Sequence, residues 1–143
     1  MIIINKRNLF FLISVWLLST LLSAQNVTIS TPQTQLLLSV PNGGTPEQLY
    51  YGSRTSDADI RSICETACRR NAYPVYGMGY PCETALSVRH ADGNLTLQMA
   101  VIGVKETRLT KENATLTVIE LKDKVYPFFV NICYKAWQDA DVI

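Results

Sequence analysis

Between Leu95 and Val101 every second residue is apolar: Leu95, Leu97, Met99 and Val101 alternate with Thr96, Gln98 and Ala100. Successive side chains of an extended chain point to opposite faces, so a period of two calls for a strand with one buried face. A helix would scatter the same residues around its axis. Two later stretches also read as strands. "ATLTVIEL" starts at Ala114, and after the turn "KDK" comes "VYPFFVNICYKAW". In that last run Phe128, Val130, Ile132 and Tyr134 share one side, and Phe129, Asn131, Cys133 and Lys135 the other. Bulky groups on both faces suit a central strand covered on both sides. Pro127 has no amide proton for a ladder, so it belongs near the strand start or on an edge.

Turn chemistry divides the rest. "ALSVRH", the turn "ADGN" and "LTLQMAVIGV" predict a hairpin, with Asp92-Gly93 supplying the positive φ of a tight turn. Upstream, "TQLLLSV" (Thr34 to Val40) is a short apolar run ended by the loop "PNGGTP", after which "EQLYYG" resumes the strand pattern. These two read as a second hairpin with a longer loop.

One segment has the helical period. In "SDADIRSICETACRRN", Ile60, Ile63, Cys64 and Ala67 form one apolar stripe. Ser56 with Asp59 makes a capping box, and Asp57 adds negative charge to the first turn. Arg69 and Arg70 suit a last turn and Asn71 a stop. "AYPVYGMGYPCE" follows as a loop. Its tyrosines either bind something on a rigid scaffold or cover a sheet edge. The expected fold is therefore all-β with one short helix, part of an antiparallel β-sandwich.

The first residues read differently. "MIIINKRNLFFLISVWLLSTLLSAQ" places Lys6 and Arg7 before an apolar run from Leu9 to Leu22, with Ser23 and Ala24 as a small-residue exit. That is the order of a secretory signal peptide spanning residues 1–24, and the run is shorter than the ~20 residues of a spanning helix. The expected mature domain is 25–143, exported to the periplasm or medium, with no membrane attachment after cleavage. It carries 11 basic and 12 acidic residues. Such a balance argues against nucleic acid as a partner.

Cys64, Cys68, Cys82 and Cys133 can pair in three ways, and sequence does not choose among them. The spacing of Cys64 and Cys68 would set both on one face of the helix, a poor geometry for a disulfide. Buried free thiols with at most one bridge is the plainer expectation. His90 is the only histidine, so neither a zinc site nor a Ser-His-Asp arrangement is indicated. A residue abutting "ADGN" reads as a turn or strand-edge group. No carboxylate pair stands out as glycosidase machinery. Catalytic, metal and cofactor residues are all expected to be absent. Asn26, Asn94 and Asn113 begin Asn-x-Ser/Thr sequons, of consequence only in a eukaryotic export route.

"ETALSVRHADGN" and "LKDKVYPFFVNICYKAWQDADVI" resemble two stretches of the amino-terminal domain of glycoside hydrolase family 36 α-galactosidases. The early "TQLLLSV...EQLYYG" resembles that family's opening hairpin more loosely. Departures include Cys82, Cys133 and Lys124, the last where proline is common. The resemblance implies a supersandwich-like domain ahead of a (β/α)₈ barrel, with both catalytic aspartates of a retaining mechanism on the barrel and none in this chain. It further implies α-galactoside oligosaccharides as substrates of the whole enzyme, and homo-oligomers. On that basis "DVI" is expected to break off inside the first domain. The other reading is a free-standing exported β-sandwich that binds carbohydrate or a protein partner.

Overall fold

The computed structural model describes residues 25–143, so the expected signal peptide lies outside the described residues. Seven strands form two antiparallel sheets: β1 (Gln25–Ser30), β2 (Thr34–Val40), β3 (Glu47–Ser53) and β4 (Arg70–Asn71) in one, β5 (Met99–Leu109), β6 (Ala114–Asp123) and β7 (Phe129–Trp137) in the other. Each sheet follows chain order, every neighbour pairing antiparallel. Helix α1 (Asp57–Thr66) links β3 to β4.

The alternation read from the sequence sets the core. Val27 and Ile29 of β1 and Leu36, Leu38 and Val40 of β2 meet Met99 and Val101 of β5, Ile119 and Leu121 of β6, and Ala136 of β7. Phe128, Val130, Ile132 and Tyr134 pack against this cluster from the predicted side of the last strand. Each fully buried aliphatic side chain contributes roughly 1.5–3 kcal/mol. The fold class is the one expected: all-β, sandwich-like, with one short helix.

β2 is covered on both faces. Leu36 and Leu38 lie in the core, while Gln35, Leu37 and Ser39 on the opposite face are equally buried. The chain from Arg54 to Arg69 crosses that face. Thr55 donates its amide to Gln35 Oε1 at 3.1 Å, and Arg69 reaches Ser39 Oγ at 3.3 Å. Asn26 Nδ2 meets Cys64 Sγ at 3.2 Å, which sets α1 beside β1.

Several expectations need correction. β1 was not foreseen, because "QNVTIS" is short and half polar. α1 stops at Thr66, before Arg69 and Arg70. Arg69 instead pairs with Glu47 at 3.0 Å, and Arg70 joins the two-residue strand β4 against Gln48. The segments flanking the Asp92-Gly93 turn do not pair as a ladder. Tyr76 comes between them, donating its amide to Leu86 O and accepting from Leu97 N. β7 is an edge strand among the described residues, not a central one, and its Phe129 and Cys133 side chains are exposed. The "PNGG" loop is more than a connection, since Gly43 N donates to Val101 O and Val101 N to Gly44 O, tying the first sheet's loop to β5.

Candidate functional site

Two clusters of hydrogen-bonded polar side chains join turns that are distant in sequence. The first joins the "HADGN" turn to the turn between β6 and β7. The His90–Asn94 turn closes through His90 N to Asn94 O and Gly93 N to His90 O, both 2.9 Å. Gly93 sits at φ 87, where a side chain is strained. Asp92 Oδ1 accepts from Asn94 N, and Asn94 Oδ1 from Thr96 N, each at 3.0 Å.

Tyr126 docks onto this turn. Its ring stacks on His90 with centroids 3.6 Å apart and planes 10° from parallel, while the Phe128 ring stands perpendicular to His90 at 6.3 Å. The Tyr126 hydroxyl donates to Asp92 Oδ2 at 2.6 Å and accepts from Asn94 Nδ2 at 3.0 Å. The phenol, followed by the Asn94 amide, holds the Asp92 carboxyl below its usual range. The same bond raises the Tyr126 pKa. Asp92 is thus an anion and Tyr126 a neutral donor at ordinary pH. His90 Nε2 is buried with no hydrogen-bond partner among the described residues.

Asp123 holds the turn that carries Tyr126. It is 1% exposed, and its carboxylate accepts from Val125 N and Tyr126 N at 2.8 Å and from Gln98 N at 2.7 Å. Burial pushes its pKa up, but the amides of Tyr126, Gln98 and Val125 outweigh that and leave it lowered. Beside these residues a groove of about 350 Å³ opens between His90, Ala91, Asp92 and Tyr126, Pro127, Phe128.

The second cluster centres on Asp141, at φ 49 after β7. Its carboxylate accepts from the Thr31 hydroxyl, from Gln33 N and Thr34 N at 3.1 Å, and from the Thr34 hydroxyl at 3.3 Å. The Thr31 hydroxyl and then those amides lower its pKa. Gln138 Nε2 adds a bond to Ser30 O at 3.0 Å. "QDADVI" therefore fastens the β1–β2 turn to the end of the other sheet. Val142 accepts from Trp137 N at 2.9 Å in an antiparallel bridge.

Chemically these clusters fasten turns. Each of the three carboxylates is committed to donors of a neighbouring turn, and all three have lowered pKa values, opposite to a general acid. His90 lies in the turn as expected, but its ring is engaged with Tyr126. Sequence reasoning missed these contacts, because nothing in single-strand periodicity links His90 to Tyr126 or Thr31 to Asp141.

The thiols also need correction. All four cysteines are unbridged; Cys64 is half-buried, and Cys68, Cys82 and Cys133 are exposed. Only Cys64 lies on the helix, since α1 ends before Cys68. Cys68 and Cys82 sit in loops and Cys133 faces outward from β7, so none is in the core. In the tyrosine loop Tyr73 packs on the core, whereas Tyr76, Met78 and Tyr80 are exposed. Of the sequon amides, Asn94 is bound to Tyr126 and Asn26 to Cys64, while Asn113 caps the β5–β6 turn at φ 45.

Residues 44–143 match the family model of the glycosyl hydrolase family 36 N-terminal domain. Among solved structures, an α-galactosidase from Lactobacillus brevis is similar with TM-score 0.68 and 15% identity, over 81% of this chain and 20% of that one. A family 36 α-galactosidase from Geobacillus stearothermophilus, solved with raffinose, gives 0.66 and 15% over 80% and 20%. The galactosidase domain of an α-galactosidase–sucrose kinase gives 0.62 and 18% over 78% and 20%. The chain thus spans 20% of the length of each, and at these identities the likeness is one of fold. A search of curated protein sequences finds no match.

Proposed function

Because the chain belongs to the glycosyl hydrolase family 36 N-terminal domain family, we propose that it is the non-catalytic β-sandwich portion of an exported α-galactosidase. The whole enzyme removes terminal α-galactose from oligosaccharides by a retaining mechanism, with its aspartate pair outside residues 25–143. The observation that carries this reading is the family match from Gly44 to Ile143, which takes in the whole first cluster and the Asp141 side of the second. Similarity over one fifth of solved α-galactosidases supports the same assignment. Asp92, Asp123 and Asp141 support it too. A retaining glycosidase needs two carboxylates about 5–5.5 Å apart across a cleft, one of them a protonated acid, and these three are anions bound to turns. Export rests on the amino-terminal pattern of Lys6, Arg7 and the apolar run to Leu22.

The test is reconstitution. The chain alone is expected to show no hydrolysis of an aryl α-galactoside. Joined to a family 36 catalytic barrel lacking its own amino-terminal domain, it is expected to raise that barrel's soluble activity at least about tenfold. Turnover by the chain alone, or no gain on joining, refutes the reading.

A further inference from the structure

A second groove, of about 370 Å³, runs between α1 and β3, bordered by Gln48, Tyr50, Ile63, Thr66, Cys68 and Arg70. Neither fastened cluster uses it. Its origin lies in the helix: Ile60, Ile63, Cys64 and Ala67 are only half-buried, so the apolar stripe is incompletely covered. β4 pairs with β3 only at Glu47 and Gln48, which leaves that edge of β3 without a ladder partner from Leu49 onward among the described residues.

Tyr50 is held in place here. Its hydroxyl donates to Ser53 O at 2.8 Å. Its ring lies so close to Gly52 that a Cβ there would stand 2.6 Å from the phenol oxygen. Glycine inside a strand marks a close approach, and here the approaching group is the phenol end of the Tyr50 ring. A ring fixed in advance loses little entropy when something stacks on it. The groups around it are polar, with one charge among them, the Arg70 guanidinium. Arg70 forms no ion pair among the described residues and offers guanidinium donors. Thr66 gives its proton to Ser62 O at 2.7 Å and keeps lone pairs to accept. Gln48, across the ladder from Arg70, both donates and accepts. Among the described residues, none that lines the groove is a carboxylate or a lysine.

A fixed tyrosine ring bordered by mixed donors and acceptors suits a molecule with an apolar C–H face and a rim of hydroxyls. The geometry points to a subsite for a neutral hexopyranoside in the α1–β3 groove. It rests on the α-galactosidase reading for the identity of the sugar.

The test is an NMR titration of the full chain with methyl α-galactoside and raffinose, with methyl α-galacturonate as the charged comparison. Saturable shifts are expected at Gln48, Tyr50, Thr66 and Arg70. Arg70→Gln, a surface change, is expected to weaken binding about fivefold, the equivalent of one hydrogen bond. Gly52→Ala, which forces the ring away, is expected to weaken it at least as much. If Gly52→Ala fails to fold, Arg70→Gln still decides. Absence of shifts, shifts clustered elsewhere, tighter binding of the galacturonate, or affinity unchanged by Arg70→Gln each overturns the proposal. No catalytic step enters the readout. A failed reconstitution would leave this binding measurable, and absence of binding would leave reconstitution intact.

Discussion

β2 and β6 are the middle strands of their respective groups, yet they are buried in different ways. On β2, Leu36, Leu37 and Leu38 are all below 7% exposed. On β6, Thr117, Ile119 and Leu121 are buried while Leu116, Val118 and Glu120, which alternate with them, are half-exposed. The sequences differ accordingly. "QLLLSV" is a continuous apolar run, the mark of a strand covered on both faces, and "TLTVIEL" alternates. The cover over β2 is the crossing from Arg54 to Arg69. The second sheet has no such cover among the described residues, so Phe129, Cys133 and Lys122 remain on its outer face.

The comparison can be broken most directly by truncating the outer faces. Leu37→Ala is expected to cost about 3 kcal/mol, since it opens a cavity beneath the crossing, whereas Val118→Ala costs about 1 kcal/mol or less. Urea denaturation of the two variants measures both. Equal costs would mean the outer face of the second sheet is as well packed as that of the first. Asp123→Asn comes next, at roughly 2 kcal/mol, because the buried amides of Gln98, Val125 and Tyr126 lose a charged acceptor. Its unfolding midpoint in urea is expected to fall with the m-value unchanged.

Gly77→Ala is expected to be milder but still measurable, at about 1–2 kcal/mol. Gly77 has φ 93, and a Cβ there would meet Thr96 Cγ2 at 2.5 Å. A change within a few tenths of a kcal/mol would show that the tyrosine loop yields freely.

The smallest effects belong to the Asp92 and Asp141 carboxylates and the thiols. Asp92 and Asp141 have folded pKa values below 3.8. Their contribution is therefore complete above that unfolded value and disappears as pH falls through the lower folded one. Thermal melts from neutral to acid pH should show this loss below about pH 4, and Asp141→Asn should flatten it. A melt of Asp141→Asn with unchanged acid dependence would assign the loss elsewhere. With a thiol reagent, Cys68, Cys82 and Cys133 should label quickly and half-buried Cys64 more slowly.

Much of this fold was legible in single segments. Apolar runs and period-two patterns located β2, β3, β6, β7 and the start of β5, and Ser56 marked the start of α1 with its hydroxyl accepting from Asp59 N at 3.3 Å. What was hidden depends on partners distant in sequence. Arg69 looks like a helix-terminal cation until Glu47 is seen beside it. The alternation from Leu95 predicts a paired strand, but Tyr76 takes the place of its expected neighbour. Local pattern reports which face is buried, and it carries no record of which segment does the burying. The Asp123 and Asp141 carboxylates were invisible for the same reason, since an aspartate in a turn reads as solvated until its amide donors are placed.

The bonds between Gly43, Gly44 and Val101 set an order of events. β1, β2 and β3 are joined by short turns, so that sheet can assemble from contacts close in sequence. The seam at Val101 must wait for a strand that emerges nearly sixty residues later, and contacts of such wide separation form slowly. Pulsed hydrogen exchange during refolding should protect the amides of β2 first and those of Gly43 and Val101 last. The first sheet would then stand assembled with one flank unsealed, and the arrival of β5 is the step that shuts it.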